Sequence, residues 1–223
     1  SVISWQVDPD GDEFLTSHFG RYVEWVPLCP ELEIGLGVPR ESLRLVSDGK
    51  DVRLVAPRSG LDHTDRMNSW TIAQARRLAE EQLCGYVLKR SSPSCGLERV
   101  KVYGDSGISN RDGRGLFAAG LADRLPNLPM EEEGRLNDAR LRENFVSQVF
   151  SYRRWIDLQR EGLTRARITQ FHSRHKFLLM AHHQNETRAL GSLIGRADRT
   201  ISAKRLGTEY FVAFWKVMRH MPT

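Results

Sequence analysis

The chain has no apolar run approaching the ~18 residues that a membrane-spanning helix needs, so no membrane partner is expected. Its N-terminus shows no charged region leading into a hydrophobic stretch, and no secretory signal is expected. Cysteine is scarce. Three residues in 223, an odd number, argue against a disulfide framework and for a chain made in a reducing, cytoplasmic setting. There is no CxxC pair, and a zinc site usually wants four closely spaced ligands; His63 is one candidate, but nothing nearby joins it. With 40% hydrophobic and 27% charged residues, the remainder reads as a soluble globular protein long enough for two domains.

The chain lacks an even spread of charge. Residues 1–138 hold 17 Lys+Arg against 22 Asp+Glu, net −5, whereas residues 139–223 hold 16 against 6, net +10. Five of the seven histidines fall in the second part. Two modules with different partners are expected. The basic one suits a polyanion such as RNA or DNA, or its arginines merely solvate helices.

In residues 1–138 strand and helix patterns alternate. Val23–Leu28 reads as a short buried strand that delivers Cys29. Leu43–Val46 and Asp51–Val55 flank Ser47-Asp48-Gly49-Lys50 as a hairpin. Asn68 or Ser69 is expected to cap a helix whose stripe is Ile72, Ala75, Leu78, Ala79 and Leu83, ended by Gly85. Tyr86–Lys89 is the next strand, Leu116–Leu121 a helix introduced by Gly113-Arg114-Gly115, and Pro129–Glu133 a last strand with its loop. The fold class expected is α/β, a three-layer sandwich with a mainly parallel sheet, followed by an all-helical domain over 139–223.

Cys29 and Cys95, 66 positions apart, each sit in a tight signature just past a strand: Leu28-Cys29-Pro30-Glu31 and Ser91-Ser92-Pro93-Ser94-Cys95-Gly96. The carboxyl ends of strands in open α/β sheets are where ligands bind. Cys84 differs: on the apolar side of a helix, beside Gly85, it is expected to pack as a small hydrophobe.

These two motifs, with Gly113-Arg114-Gly115-Leu116-Phe117-Ala118-Ala119, resemble the thiouracil and thiouridine desulfidase family over roughly residues 1–136. Residues 139–223 resemble a helical domain often fused to it, most visibly over Phe171–His182. The resemblance implies an enzyme that replaces thiocarbonyl sulfur by oxygen in a thiolated pyrimidine or nucleoside, free or within tRNA. It implies a [4Fe-4S] cluster held by three cysteines, two of them matching Cys29 and Cys95. It implies catalytic roles for Glu31 and Ser92, with Ser94 as a helper. Three thiolates would leave one iron open as a Lewis acid.

The chain departs from that pattern near its start. The family's first cysteine lies in a Ser-Ala-Cys-Leu segment after the first strand; here Trp5 follows Ser4 and no cysteine precedes Cys29. Asp8–Asp12 reads like sequence from beyond the family's glycine-rich loop. Omission of that loop from the chain is the favoured expectation; the alternative is a nucleic-acid-binding protein with an incomplete or inactive cluster site. A zinc- or cysteine-dependent hydrolase is a third reading.

In the second module Leu141, Phe145, Val149, Tyr152, Trp155 and Leu158 recur at helical spacing. Thr164 is expected to cap a helix from Arg165 to His182 with Ile168, Phe171, Phe177, Leu178 and Ala181 inward. Gly191 and Gly195 mark a close crossing or a break, and Phe211, Phe214, Trp215 and Met218 a last stripe, giving a bundle of four or five helices. For His172, His175, His182 and His183 the reading is core hydrogen bonding or, with Arg153, Arg154, Arg165 and Arg167, an RNA phosphate groove. No carboxylate is seen to complete a metal site.

Overall fold

The computed structural model describes residues 2–5, 14–104, 106–198 and 200–222. Asp8–Asp12 lies outside the described residues. The chain divides into two units, Ser1–Asn137 and Asp138–Thr223.

The first unit is built on two sheets. Strands β1 (Val2–Trp5), β2 (Glu24–Pro27), β6 (Gly85–Leu88) and β9 (Met130–Glu132) form a wholly parallel sheet in the order β2-β1-β6-β9. Strands β3 (Arg44–Ser47), β4 (Val52–Ala56), β5 (Leu61–Asp62), β7 (Val100–Tyr103) and β8 (Ser109–Gly113) form the other, in the order β5-β4-β3-β7-β8. There only β3–β7 is parallel; β3–β4, β4–β5 and β7–β8 are antiparallel. This corrects the expectation of a three-layer sandwich around one mainly parallel sheet. The reason is local. Short hairpin turns can join only antiparallel strands, whereas parallel ones need long crossovers. Asp48-Gly49-Lys50-Asp51 supplies such a turn: Asp48 Oδ1 accepts from the amides of Lys50 and Asp51, and Gly49 takes φ +89°.

Helix α1 (Pro30–Glu33) is a single turn, and α2 (Thr64–Glu80) and α3 (Leu116–Arg124) pack on each other. Gly120 permits that approach, since a Cβ there would stand 2.9 Å from Thr71 Cγ2. Phe117 of α3 then sits against Trp70 at 5.3 Å and Tyr86 at 5.6 Å between ring centroids. Helix α2 starts at Thr64, before the Asn68 or Ser69 cap expected, because Asp62 Oδ1 accepts from the Thr64 amide. Its buried face is Met67, Thr71, Gln74, Ala75 and Leu78, while Ile72 and Ala79 are exposed. Cys84 is buried in the connection to β6, where its Sγ donates to the Gln82 carbonyl.

Among its described residues the second unit has four helices: α4 (Ala139–Arg160), α5 (Arg165–His182), α6 (Gln184–Arg196) and α7 (Ala203–Met218). Thr164 caps α5 by accepting from the Arg167 amide at 3.2 Å. Trp155 stacks on Phe211 at 4.6 Å, with Phe171, Tyr210, Phe214 and Trp215 around them. The inward face of α5 is Ile168, Phe171, His175, Leu179 and His182. Phe177 is 84% exposed and Ala181 is exposed, so the stripe is rotated from the one expected. Gly191 brings α6 close to α5: a Cβ there would meet His172 Nε2 at 3.4 Å. No described helix is long and apolar enough to cross a membrane.

Candidate functional site

All four strands of the parallel sheet end on the same side, so the segments after β2, β6 and β9 gather at one edge. After β2, Cys29 caps α1 with extended backbone, and its carbonyl accepts from Leu32 and Glu33 at 3.0 Å each. Pro30 takes the first helical position, where its missing N–H costs nothing. Glu31, 9% exposed, is thereby turned back toward the segment after β6. Its Oε1 accepts from Ser94 Oγ at 2.8 Å and its Oε2 from Arg40 Nε at 2.6 Å.

The Ser91–Gly96 segment is held from both sides. Ser92 Oγ accepts from the amides of Ser94 and Cys95 at 3.2 Å, and Ser92 O from the Gly96 amide at 2.8 Å. The first amides of α3 donate outward: Leu116 to Pro93 O, Phe117 and Ala118 to Ser94 O. Orphan donors of a helix start are thus satisfied by the loop. Gly115 is required there, because a Cβ would lie 2.5 Å from Cys95 N. From β9, Glu132 Oε1 accepts from the Leu97 amide at 2.7 Å, and Glu133 Oε2 from the Arg90 amide at 2.8 Å. Burial holds the Glu133 carboxyl above its ordinary range. The run Glu131-Glu132-Glu133, which ends β9 and leaves it, is the sequence signal for these fastenings. Arg40 carried no comparable signal.

A cavity of about 820 Å³ opens at this edge, lined among others by Cys29, Glu31, Arg40, Lys89, Arg90 and Ser92. Cys95 is fully buried and does not line it. The structure therefore brings Cys29, Glu31 and Ser92 to one cavity, with Cys95 behind it through its neighbour Ser94. The hydroxyl on Glu31 is that of Ser94, not Ser92, whose oxygen accepts from the amides of its own turn.

The residues do not fit the [4Fe-4S] cluster that the resemblance implied. Strand β1 ends at Trp5, which pairs with Pro27 and Val87, and no cysteine precedes Cys29 in the sequence. Cys84 cannot supply the missing thiol, for it precedes β6 while Ser91–Cys95 follows that strand, about 13 Å further along four residues. Two thiolates are available where three were expected. The three-ligand group that the described residues do assemble is His183, Glu186 and His220 of the second unit, with ligand atoms within 4.8 Å of one another and no cysteine among them. Its members already serve one another: His183 Nδ1 accepts from the Glu186 amide, Glu186 Oε2 meets His220 Nε2 at 3.2 Å, and Lys216 Nζ meets Glu186 Oε1 at 2.8 Å. Glu186, three positions after His183, was the carboxylate that sequence reading missed.

Of the other histidines, His175 Nδ1 bonds the Phe171 carbonyl at 2.8 Å and His182 Nδ1 the His220 carbonyl at 2.6 Å. Burial holds the pKa of both below the ordinary imidazole value; for His175 the Arg154 and Arg174 charges add to it.

No curated protein matches the chain. One solved structure of related shape is a [4Fe-4S]-dependent thiouracil desulfidase, TudS, 23% identical, covering 62% of this chain and 94% of that one at a TM-score of 0.45. That likeness transfers no residue role. Residues 4–133, more than half of the sequence, match the 2-thiouracil desulfurase family, and the chain belongs to that family.

Proposed function

We propose that the chain is a nucleic-acid-binding member of the desulfurase family whose cluster site is incomplete. Its strand-end cavity takes a thiolated pyrimidine, and cationic side chains take the phosphates of the RNA that carries it. The observation that carries this reading is the cavity itself. Glu31 is held between Ser94 and Arg40, Lys89 and Arg90 stand at the wall, and the thiol set stops at two.

In such a site Glu31 and the Ser92 hydroxyl face the ligand's polar edge. Ser92's oxygen already accepts from two amides, which leaves its hydrogen to donate. Arg40 fixes the Glu31 carboxylate by a charge-assisted bond that a rotating side chain would otherwise lack. A base within RNA must leave its stack to enter a cavity of this kind. The net +10 of residues 139–223 supports a phosphate-binding contribution from the helical unit.

The test is binding of the whole chain to a single-stranded RNA carrying one 4-thiouridine and to the same RNA with uridine. Tighter binding of the thiolated strand, lost in Glu31→Ala, is expected, with no sulfide released after anaerobic reconstitution with iron and sulfide. Equal binding of the two strands sinks the pyrimidine assignment. Catalytic sulfide release from 4-thiouracil or 4-thiouridine overturns the binding-only reading in favour of the enzymatic one that family membership favours.

A further inference from the structure

A second cavity, about 440 Å³, lies on the five-stranded sheet and shares Ser91 and Pro93 with the strand-end cavity. Its lining includes Arg44, Arg99, Lys101 and Arg111, and no carboxylate. Three of these cations form a row. Lys101 of β7 pairs directly with Arg111 of β8, and the parallel register of β3 on β7 sets Arg44 level with Lys101. Adjacent strands stand about 4.8 Å apart, so three positive side chains cross the sheet within about 10 Å.

Like charges placed directly opposite each other on neighbouring strands destabilise a sheet. Among the described residues none of the four cations is ion-paired. Two carboxylates near these cations in sequence are turned elsewhere: Glu41 accepts from the amides of Arg58 and Ser59, and Glu98 pairs with Arg135. Tyr103 shares the lining, with Arg44 Cζ 4.9 Å from its ring centroid. Two residues of this wall, Ser91 and Arg99, adopt left-handed backbone at φ 57° and 55°, a conformation costly outside glycine. A local conflict of charge and backbone gathered in one concavity marks a site kept for a ligand.

We infer that this row is a phosphate-binding site, and that it holds the phosphate of a nucleotide, or the next phosphates of an RNA strand, whose base enters the adjoining cavity. The inference rests on the proposed base site only for the position of that base. The cations themselves require only phosphate oxygens, and an aromatic ring beside a basic groove is the arrangement that accepts single-stranded nucleic acid.

The test compares the full wild-type chain with Lys101→Thr/Arg111→Thr. Threonine suits an exposed strand position, and removal of the like-charge pair predicts an unchanged or higher melting temperature. Three probes are used: 4-thiouridine, its 5′-monophosphate, and a fluorescent single-stranded RNA containing it. Expected is a loss of about tenfold in RNA affinity, a salt slope shallower by about 1.4 for two lost contacts, and unchanged affinity for the nucleoside. A loss for the monophosphate as well assigns the row to the nucleotide's own phosphate; a loss for RNA alone assigns it to the neighbouring ones. Wild-type RNA affinity and salt slope in the double variant, or an equal loss for the nucleoside, overturns the site. Should the variant melt lower, Arg44→Thr carries the same comparison. If unthiolated RNA binds as well as thiolated RNA and the variant weakens both, the phosphate site stands while the thiolated-base reading falls.

Discussion

At the scale of single residues, the site is held by groups that no composition count singles out. Gly115 is the clearest. It caps α3 and lies against the backbone of Ser94 and Cys95, where an added Cβ would come within 2.5 Å of two backbone atoms and 2.6 Å of a third. These are not ends of flexible side chains, so neither partner can yield cheaply. Gly115→Ala is therefore expected to destabilise the first unit by about 3 kcal/mol, the upper part of the overpacking range, and to displace the Ser91–Gly96 segment. Chemical denaturation and the affinity for a thiolated pyrimidine measure the two effects. Wild-type stability would mean that the loop is not clamped to α3 as the hydrogen bonds describe. Glu31 is the complementary case, for its carboxylate joins segments 63 positions apart through Ser94.

At the scale of elements, the sequence was most legible where a polar cap met an apolar period. Thr164 and the Arg165–His182 helix are read directly, and the side chain does accept from the Arg167 amide. Thr164→Ala should cost about 1 kcal/mol of the second unit's stability, read as a lowered denaturation midpoint, while Thr164→Ser should restore most of it. The same reading failed for which side of α5 faces inward. Helical spacing admits Phe177 and Ala181 as readily as His175 and His182, and the packing of α6 and α7 on α5 decides that two histidines are buried while a phenylalanine is exposed. In the first unit the β3–β4 hairpin announced itself through Asp48-Gly49, whereas β7 and β8 did not. Val-Lys-Val-Tyr alternates over only four residues, too short a run to stand out, and Ser-Asn-Arg-Asp-Gly has no apolar residue at all. Both cysteine motifs were placed past strand ends as the sequence indicated. Their shared chemistry was not, since a donor count needs the strand that lies between them, and that strand ends in Trp5.

At the scale of the whole molecule, the uneven distribution of histidine gives the two units different responses to acid. Five of seven histidines lie in residues 139–223, and burial lowers the pKa of His172, His175 and His182 there. His175 is packed against the Phe171 and Phe214 rings, with Arg154, Arg174 and His172 as the charges acting on it. An unfolded histidine takes up its proton near pH 6.5, whereas the folded one resists it. The unfolded state then binds more protons, so stability rises with pH through this window and is lost as pH falls below about 6.5. The loss reaches at most about 1.4 kcal/mol per pH unit for each such histidine, and 1 kcal/mol lowers the melting temperature of a unit this size by about 4–8 °C. Calorimetry at pH 7.5 and 5.5 should show a component of unfolding that moves down by several degrees in acid. In His175→Gln that acid shift should shrink, even though the variant melts lower at pH 7.5. A shift of undiminished size in the variant would remove His175 from the cause and leave the acid response to His172 and His182.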